Sequence, residues 1–194
     1  QYDIYAMRSA GIDPATGKEI FIKKNGEYTF KYDENERVAV GNTNPILHGS
    51  WMNTVRYKGF SISLATSYTF GSDYYNSTLK NKVENIDLDY NVDRRVFTDR
   101  WKQPGDHTRF LGIGTSSSSS QYSERFVEKR NELYISSIQV MYDFAPKAIT
   151  RLGLRKLAIG FGLSDIAHIS TVKFERGTDY PYCRGINLIF RPTF

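Results

Sequence analysis

The last ten residues run Gly185-Ile186-Asn187-Leu188-Ile189-Phe190-Arg191-Pro192-Thr193-Phe194, with a bulky apolar side chain at every second place up to the final residue. Strand side chains alternate sides with a period of two, so Ile186, Leu188, Phe190, Pro192 and Phe194 share one face. Asn187, Ile189, Arg191 and Thr193 share the other. The same pattern sets Phe60, Ile62, Leu64, Thr66, Tyr68 and Phe70 against Ser61, Ser63, Ala65, Ser67 and Thr69. It recurs in Tyr134, Ile138, Val140, Tyr142 and Phe144, and in Leu157, Ile159, Phe161 and Leu163. Predicted strands cover residues 1–8, 46–57, 60–70, 133–144, 155–164 and 184–194. Long loops cover 9–45, 71–130 and 165–183.

Connection lengths add information that no single strand carries. Lys58-Gly59 and the stretch Ala145 to Arg155, with a helical turn expected after Pro146, are short links. The other connections are long, and long and short alternate strictly. A strand of about 9–11 residues crosses a bilayer on a tilt, whereas a typical strand of a soluble sheet has about 5 or 6. Long strands with alternating short turns and long loops predict an all-β, antiparallel transmembrane barrel of the outer-membrane type. Six strands are too few to close such a barrel, which needs roughly eight. The chain is therefore expected to be the C-terminal part of a larger barrel.

Within the loops, Asn25-Gly26 between Ile20 to Lys23 and Tyr28 to Tyr32 signals a short hairpin. The run Ser116 to Ser120 reads as a flexible loop tip. Composition fits this picture. Of 194 residues, 40% are hydrophobic and 24% charged, and the mean hydropathy is -0.49. No apolar run of about 18 residues is present to span a bilayer as a helix, a test that barrel strands escape because their two faces average out. Aromatic residues make up 14%, with 14 Tyr and 12 Phe, which suits interfacial girdles. It suits a secreted glycan-binding sandwich as well. The net charge of +5 comes from scattered Lys and Arg without a basic stripe, so nucleic acid is not indicated. The single cysteine, Cys183, excludes an intramolecular disulfide and reads as a strand-edge residue. The first residues carry no signal-peptide pattern.

Candidate chemistry is sparse. His48, His107 and His168 lie in unrelated segments without metal-ligand spacing, and Gly112-Ile113-Gly114-Thr115 neither follows a clear strand nor opens a helix. Asp87 with Asp89 reads as a solvated loop. No catalytic residue, metal site or cofactor is expected, and the chain is read as a non-enzyme. Binding has better support, because Tyr74, Tyr75, Tyr90, Phe97, Trp101, Arg94 and Arg95 place aromatic and guanidinium groups in one long loop. Such groups stack on sugars or grip anions, or pack the loop against itself. Arg94, Arg95, Trp101, Tyr74 and Tyr75 are the candidate ligand or partner contacts.

Several stretches resemble the C-terminal third of the SusC/RagA family of TonB-dependent outer-membrane transporters. Asn44-Pro45, Gly49, Asn53 and Tyr57-Lys58-Gly59-Phe60 are similar to its strand, periplasmic turn and strand. Arg100-Trp101 with Pro104-Gly105-Asp106-His107-Thr108 resembles an extracellular segment of the family. Arg8, Gly11, Asp13 and Gly17, and the ending Tyr180-Pro181, Arg184 and Phe194, add to the likeness. The resemblance implies a barrel of about 22 strands, of which this chain supplies about the last six, without the plug domain. It also implies import of oligosaccharides or peptides with a SusD-like surface lipoprotein, and contact with TonB through the missing plug. Further implied partners are the remaining barrel strands and outer-membrane lipid. Leu188, Phe190 and Phe194 resemble the family's C-terminal assembly signal. A passive porin and a secreted sandwich stand as alternatives.

Overall fold

A computed structural model describes residues 2–87, 89, 91–115, 121–173 and 184–194. Among these, the strands are β1 (Asp3–Ala6), β2 (Arg8–Ile12), β3 (Glu19–Ile22), β4 (Tyr28–Thr29), β5 (Val38–Asn42), β6 (Leu47–Tyr57), β7 (Phe60–Tyr75), β8 (Val127–Asp143), β9 (Lys156–Ser170) and β10 (Gly185–Thr193). The helices are α1 (Ser77–Val83), α2 (Arg95–Thr98) and α3 (Pro146–Ile149). No described helix is long and apolar enough to cross a membrane. The chain divides into a wall unit, made of residues 46–70, 131–171 and the C-terminal strand, and a loop unit built on residues up to 45 and 71–130.

The wall unit is one antiparallel five-stranded sheet in the order β10-β9-β8-β7-β6. Its register carries the period-two pattern across neighbouring strands. Val140, Phe161 and Leu188 form one row, Tyr142, Ile159 and Phe190 the next, and Ile138, Leu163 and Ile186 a third. On the other side of the sheet, Gln139, Gly162 and Asn187 line up, as do Asp143, Ala158 and Arg191. At the far edge, Tyr57 faces Phe60, Val55 faces Ile62 and Leu47 faces Phe70. The apolar side lies open: Leu188 is 85% exposed and Phe190 65%. Apolar rows this continuous are a liability in water and are what hydrocarbon solvates.

The β6–β7 hairpin closes on Lys58 and Gly59, whose φ angles are 46° and 86°. Two consecutive positive φ angles make the type I′ turn that matches strand twist. At Gly59 a Cβ would sit 2.9 Å from the Asp143 carbonyl oxygen, and the Gly59 carbonyl accepts from the Asp143 amide at 2.8 Å. Gly59→Ala should therefore cost about 1–3 kcal/mol, read as a lower urea midpoint for refolding of the barrel. The expected helical turn after Pro146 is α3, continued as a 3-10 turn, Thr150–Leu152, and ended by Gly153 at φ 72°.

Three strands outrun the hydrophobic pattern. β7 continues from Phe70 to Tyr75, β8 starts at Val127 instead of Leu133, and β9 runs on to Ser170 instead of stopping near 164. At about 3.3 Å per residue, strands of 15–17 residues reach roughly 50 Å, well beyond a hydrocarbon core of about 30 Å. The overhangs of β7 and β8 lack an apolar face, so hydrophobic alternation does not mark them. In β9 the overhang begins at a bulge, where Asp165 takes a φ of 55° and the register against β8 shifts between Ile135 and Ser137. Past it, the apolar pairs Ile135–Ala167 and Leu133–Ile169 alternate with polar ones. The Tyr134 hydroxyl donates to Asp165, and His168 Nε2 lies 3.2 Å from Glu132 Oε2.

One strand expected in the wall is elsewhere. Residues 1–8 do not join the five-stranded sheet: β1 pairs with β5, and β2 begins a separate sheet of order β2-β3-β4. Met7 between them is fully buried, with its amide donating to the Tyr122 carbonyl at 2.9 Å. The segment 9–45, expected as loop, supplies these nearer partners. The Asn25-Gly26 hairpin forms as expected, joining β3 to β4 with Gly26 at φ 89°.

Candidate functional site

The loop unit begins with a tight turn whose shape selects its residues. The Gly17 amide donates to the Asp13 carbonyl and the Asp13 amide to the Lys18 carbonyl, both at 2.8 Å. Gly17 has a φ of 68°, and a Cβ there would fall 2.4 Å from the Trp101 ring. Trp101 lies against this glycine, and its Nε1 donates to the Pro14 carbonyl at 2.9 Å. The Gly105 amide reaches the same carbonyl, also at 2.9 Å, while Asp106 Oδ2 accepts the amides of Lys102 and Gln103 at 3.1 Å each. Arg100, only 3% exposed, donates to the carbonyls of Val83, Leu111 and Gly112. The Arg-Trp and Pro-Gly-Asp residues thus pin two distant loop segments together.

Beside them Leu79, Val83, Phe110 and Phe126 form an apolar cluster against which Tyr75 packs. A buried ion group adjoins it. Arg125 Nη2 donates to Glu19 Oε2 at 2.7 Å and Nη1 to Glu84 Oε1 at 2.9 Å, with side chains 7%, 5% and 0% exposed respectively. Glu84 also accepts the Leu111 amide at 2.9 Å, and the Ser123 hydroxyl donates to Glu19. Burial works against the Arg125 charge, yet hydrogen bonds and charges from Glu19 and Glu84 outweigh it and hold the guanidinium above its ordinary range. Burial pulls the Lys80 ammonium down, opposed by the same two carboxylates. Lys80 also donates to the Gln121 carbonyl.

The residues singled out as ligand contacts have mixed surroundings. Tyr75 lies 5.1 Å from the Tyr122 ring and 6.3 Å from Phe126, and burial pushes its phenol pKa up. Tyr74 is half-buried at the adjacent strand position. Arg95 is held by Asp93 through Nε at 2.9 Å and Nη2 at 2.7 Å, and those bonds draw the Asp93 carboxyl down to about 2. Arg94 and Phe97 are exposed, Phe97 by 59%. Trp101 has its scaffold role. Asp89 donates its amide to Asp87 in a local turn. Tyr90, Ser116 to Ser120, Tyr180-Pro181 and Cys183 lie outside the described residues.

Sequence reasoning missed a cleft of about 250 Å³ on the loop unit. Its buried members are Glu19, Phe21 and Leu111; Phe30 and Tyr32 add aromatic surface, and Lys18, Thr115 and Gln121 add polar groups. None of the five singled-out residues lines it. The signal in the sequence is the alternation of Phe30 and Tyr32 beside the hairpin turn, which predicts a strand and not a cleft.

No family model matches the chain. A curated relative, "TonB-dependent receptor P39" of Formosa agariphila, is 26% identical over 169 residues, covering 84% of this chain and 16% of its own length. The fold matches the "RagAB peptide importer in the 'open-open' state" with a TM-score of 0.70 at 16% identity, over 88% of this chain and 19% of that one. By sequence the chain is similar to a TonB-dependent receptor, and its fold is that of the matched part of the RagAB importer. The "closed-closed" RagAB structure gives a TM-score of 0.67 at 17% identity, over 88% of this chain and 20% of that one. The chain spans less than a fifth of the curated relative that it matches. Its five-stranded wall is part of an all-β barrel of outer-membrane type. The relatives are receptors and importers, in keeping with a non-enzyme.

Proposed function

We propose that this chain is barrel wall and loop of a SusC-like transporter in the bacterial outer membrane, importing oligosaccharides or peptides. The observation that carries this is the wall sheet: its apolar rows lie open on one side while the other is mixed and mostly polar or small, with Gln139, Asn187, Asp143 and Arg191 among glycine and alanine, the division a barrel makes between lipid and lumen. Its remaining strands and a plug that engages TonB complete the transporter, and a SusD-like lipoprotein serves as its surface partner. The name of the RagAB peptide importer supports import as the task. The loop unit faces outward in this reading, and exposed Arg94 is its candidate contact for ligand or partner.

Fractionation tests the placement. The receptor is expected in the detergent-extracted outer membrane, and uptake is expected to stop when TonB is deleted. Recovery as a soluble protein, or uptake unchanged without TonB, would count against the proposal. Phe194, 79% exposed at the end of the apolar rows, acts here with Leu188 and Phe190 as the assembly signal. Deleting Phe194 should reduce outer-membrane receptor severalfold on immunoblots with transcript unchanged; equal levels would remove that role.

A further inference from the structure

We propose that the cleft on the loop unit is a ligand subsite for a pyranose ring carrying a carboxylate, one residue of an acidic oligosaccharide. The inference rests on the transport reading and assigns a ligand class to a site within it. Its lining mixes aromatic surface with hydrogen-bonding groups. That combination suits a ring that is apolar on its faces and polar around its rim. At about 250 Å³ the cleft is smaller than the roughly 300–1,000 Å³ of sites that enclose whole ligands. One sugar ring of a longer chain is the unit it can take.

The aromatic surface is prepared in advance. Tyr32 is fixed edge-on to Phe21, with centroids 5.7 Å apart at 67°. Its hydroxyl accepts from Arg37 Nε at 2.9 Å and from the Tyr122 amide at 3.2 Å. Little rotamer freedom is left to lose on binding. Phe30, 56% exposed, offers a second ring.

Charge selects the acid. Glu19 is in the cleft, but its oxygens are taken by Ser123 and Arg125, and Arg125 together with Lys80 offsets the charges of Glu19 and Glu84. The Lys18 ammonium is exposed and has no acidic partner among the described residues. The Thr115 hydroxyl donates to the Gly112 carbonyl at 2.7 Å and keeps lone pairs to accept from a sugar hydroxyl. One uncompensated cation beside aromatic surface recognises a carboxylate held on a ring.

The test is calorimetric titration of the complete detergent-purified receptor with tri-galacturonate, maltotriose and trialanine. Tri-galacturonate is expected to bind about tenfold or more tighter than the other two. Lys18→Glu and Phe30→Ala should each weaken it by about tenfold. Lys102→Glu, an exposed charge reversal outside the cleft, should not, and all three variants should keep the wild-type melting temperature. Absence of tri-galacturonate binding, equal binding of maltotriose or trialanine, or unchanged affinity in both cleft variants would overturn the assignment. Uptake that persists without TonB would instead refute the transport reading, and it leaves the titration result untouched.

Discussion

Replacing Arg125 with methionine is expected to unfold the loop unit while the barrel wall persists. Arg125 is the cation that lets Glu19 and Glu84 remain buried, at 2.7 and 2.9 Å. Removing one partner of such a group leaves carboxylate charge stranded away from water, a loss of about 3–5 kcal/mol. The damage spreads, because Glu84 also holds the Leu111 amide and Arg125 also donates to the Arg109 carbonyl. Hydrogen exchange of the purified receptor should show residues 77–83 and 109–111 losing protection, with residues 60–70 unaffected. Adding Glu19→Gln and Glu84→Gln should restore part of that protection, since the stranded charge is then gone. Protection unchanged in Arg125→Met would mean that the group contributes nothing to the unit.

A charge placed on the apolar rows should be nearly as damaging, by a different route. Phe161 sits between Val140 and Leu188 in the central row of β8, β9 and β10. Phe161→Arg should cost about 2–4 kcal/mol, the penalty for a cation near the bilayer midplane on a barrel's lipid side. Its neighbour Gly162 faces the other way, and a Cβ there would meet nothing closer than Asn187 Cβ at 3.7 Å. Gly162→Ala should leave folding nearly unchanged. Refolding into vesicles, followed by the heat-dependent gel shift of folded barrels, separates the two. Equal tolerance of both substitutions would mean that the rows do not face lipid.

These two sites differ in how visible they were before the fold was known. The rows around Phe161 follow from alternation along single strands, and the Lys58-Gly59 turn from local preference for positive φ. Both depend on neighbours in sequence. The overhangs of β7 and β8 were not visible, since Gly71 to Tyr75 and Val127 to Glu132 have no apolar face to keep. Residues 1–8 misled because short alternation does not say which strand lies alongside. Trp101 and Arg100 stood out as residues, but their role as clamps on Pro14, Gly17 and Gly112 did not.

Period-two patterning together with strand length and the alternation of short and long connections pointed to an outer-membrane type of wall, since which face a strand side chain takes is a local property. The loop unit came from tertiary structure alone. Arg125 is separated from Glu19 by 106 residues and from Glu84 by 41, and no periodicity links them. Whether such charges end as solvated side chains or as a buried group depends on the path of the chain, which brings them within 3 Å of each other and excludes water.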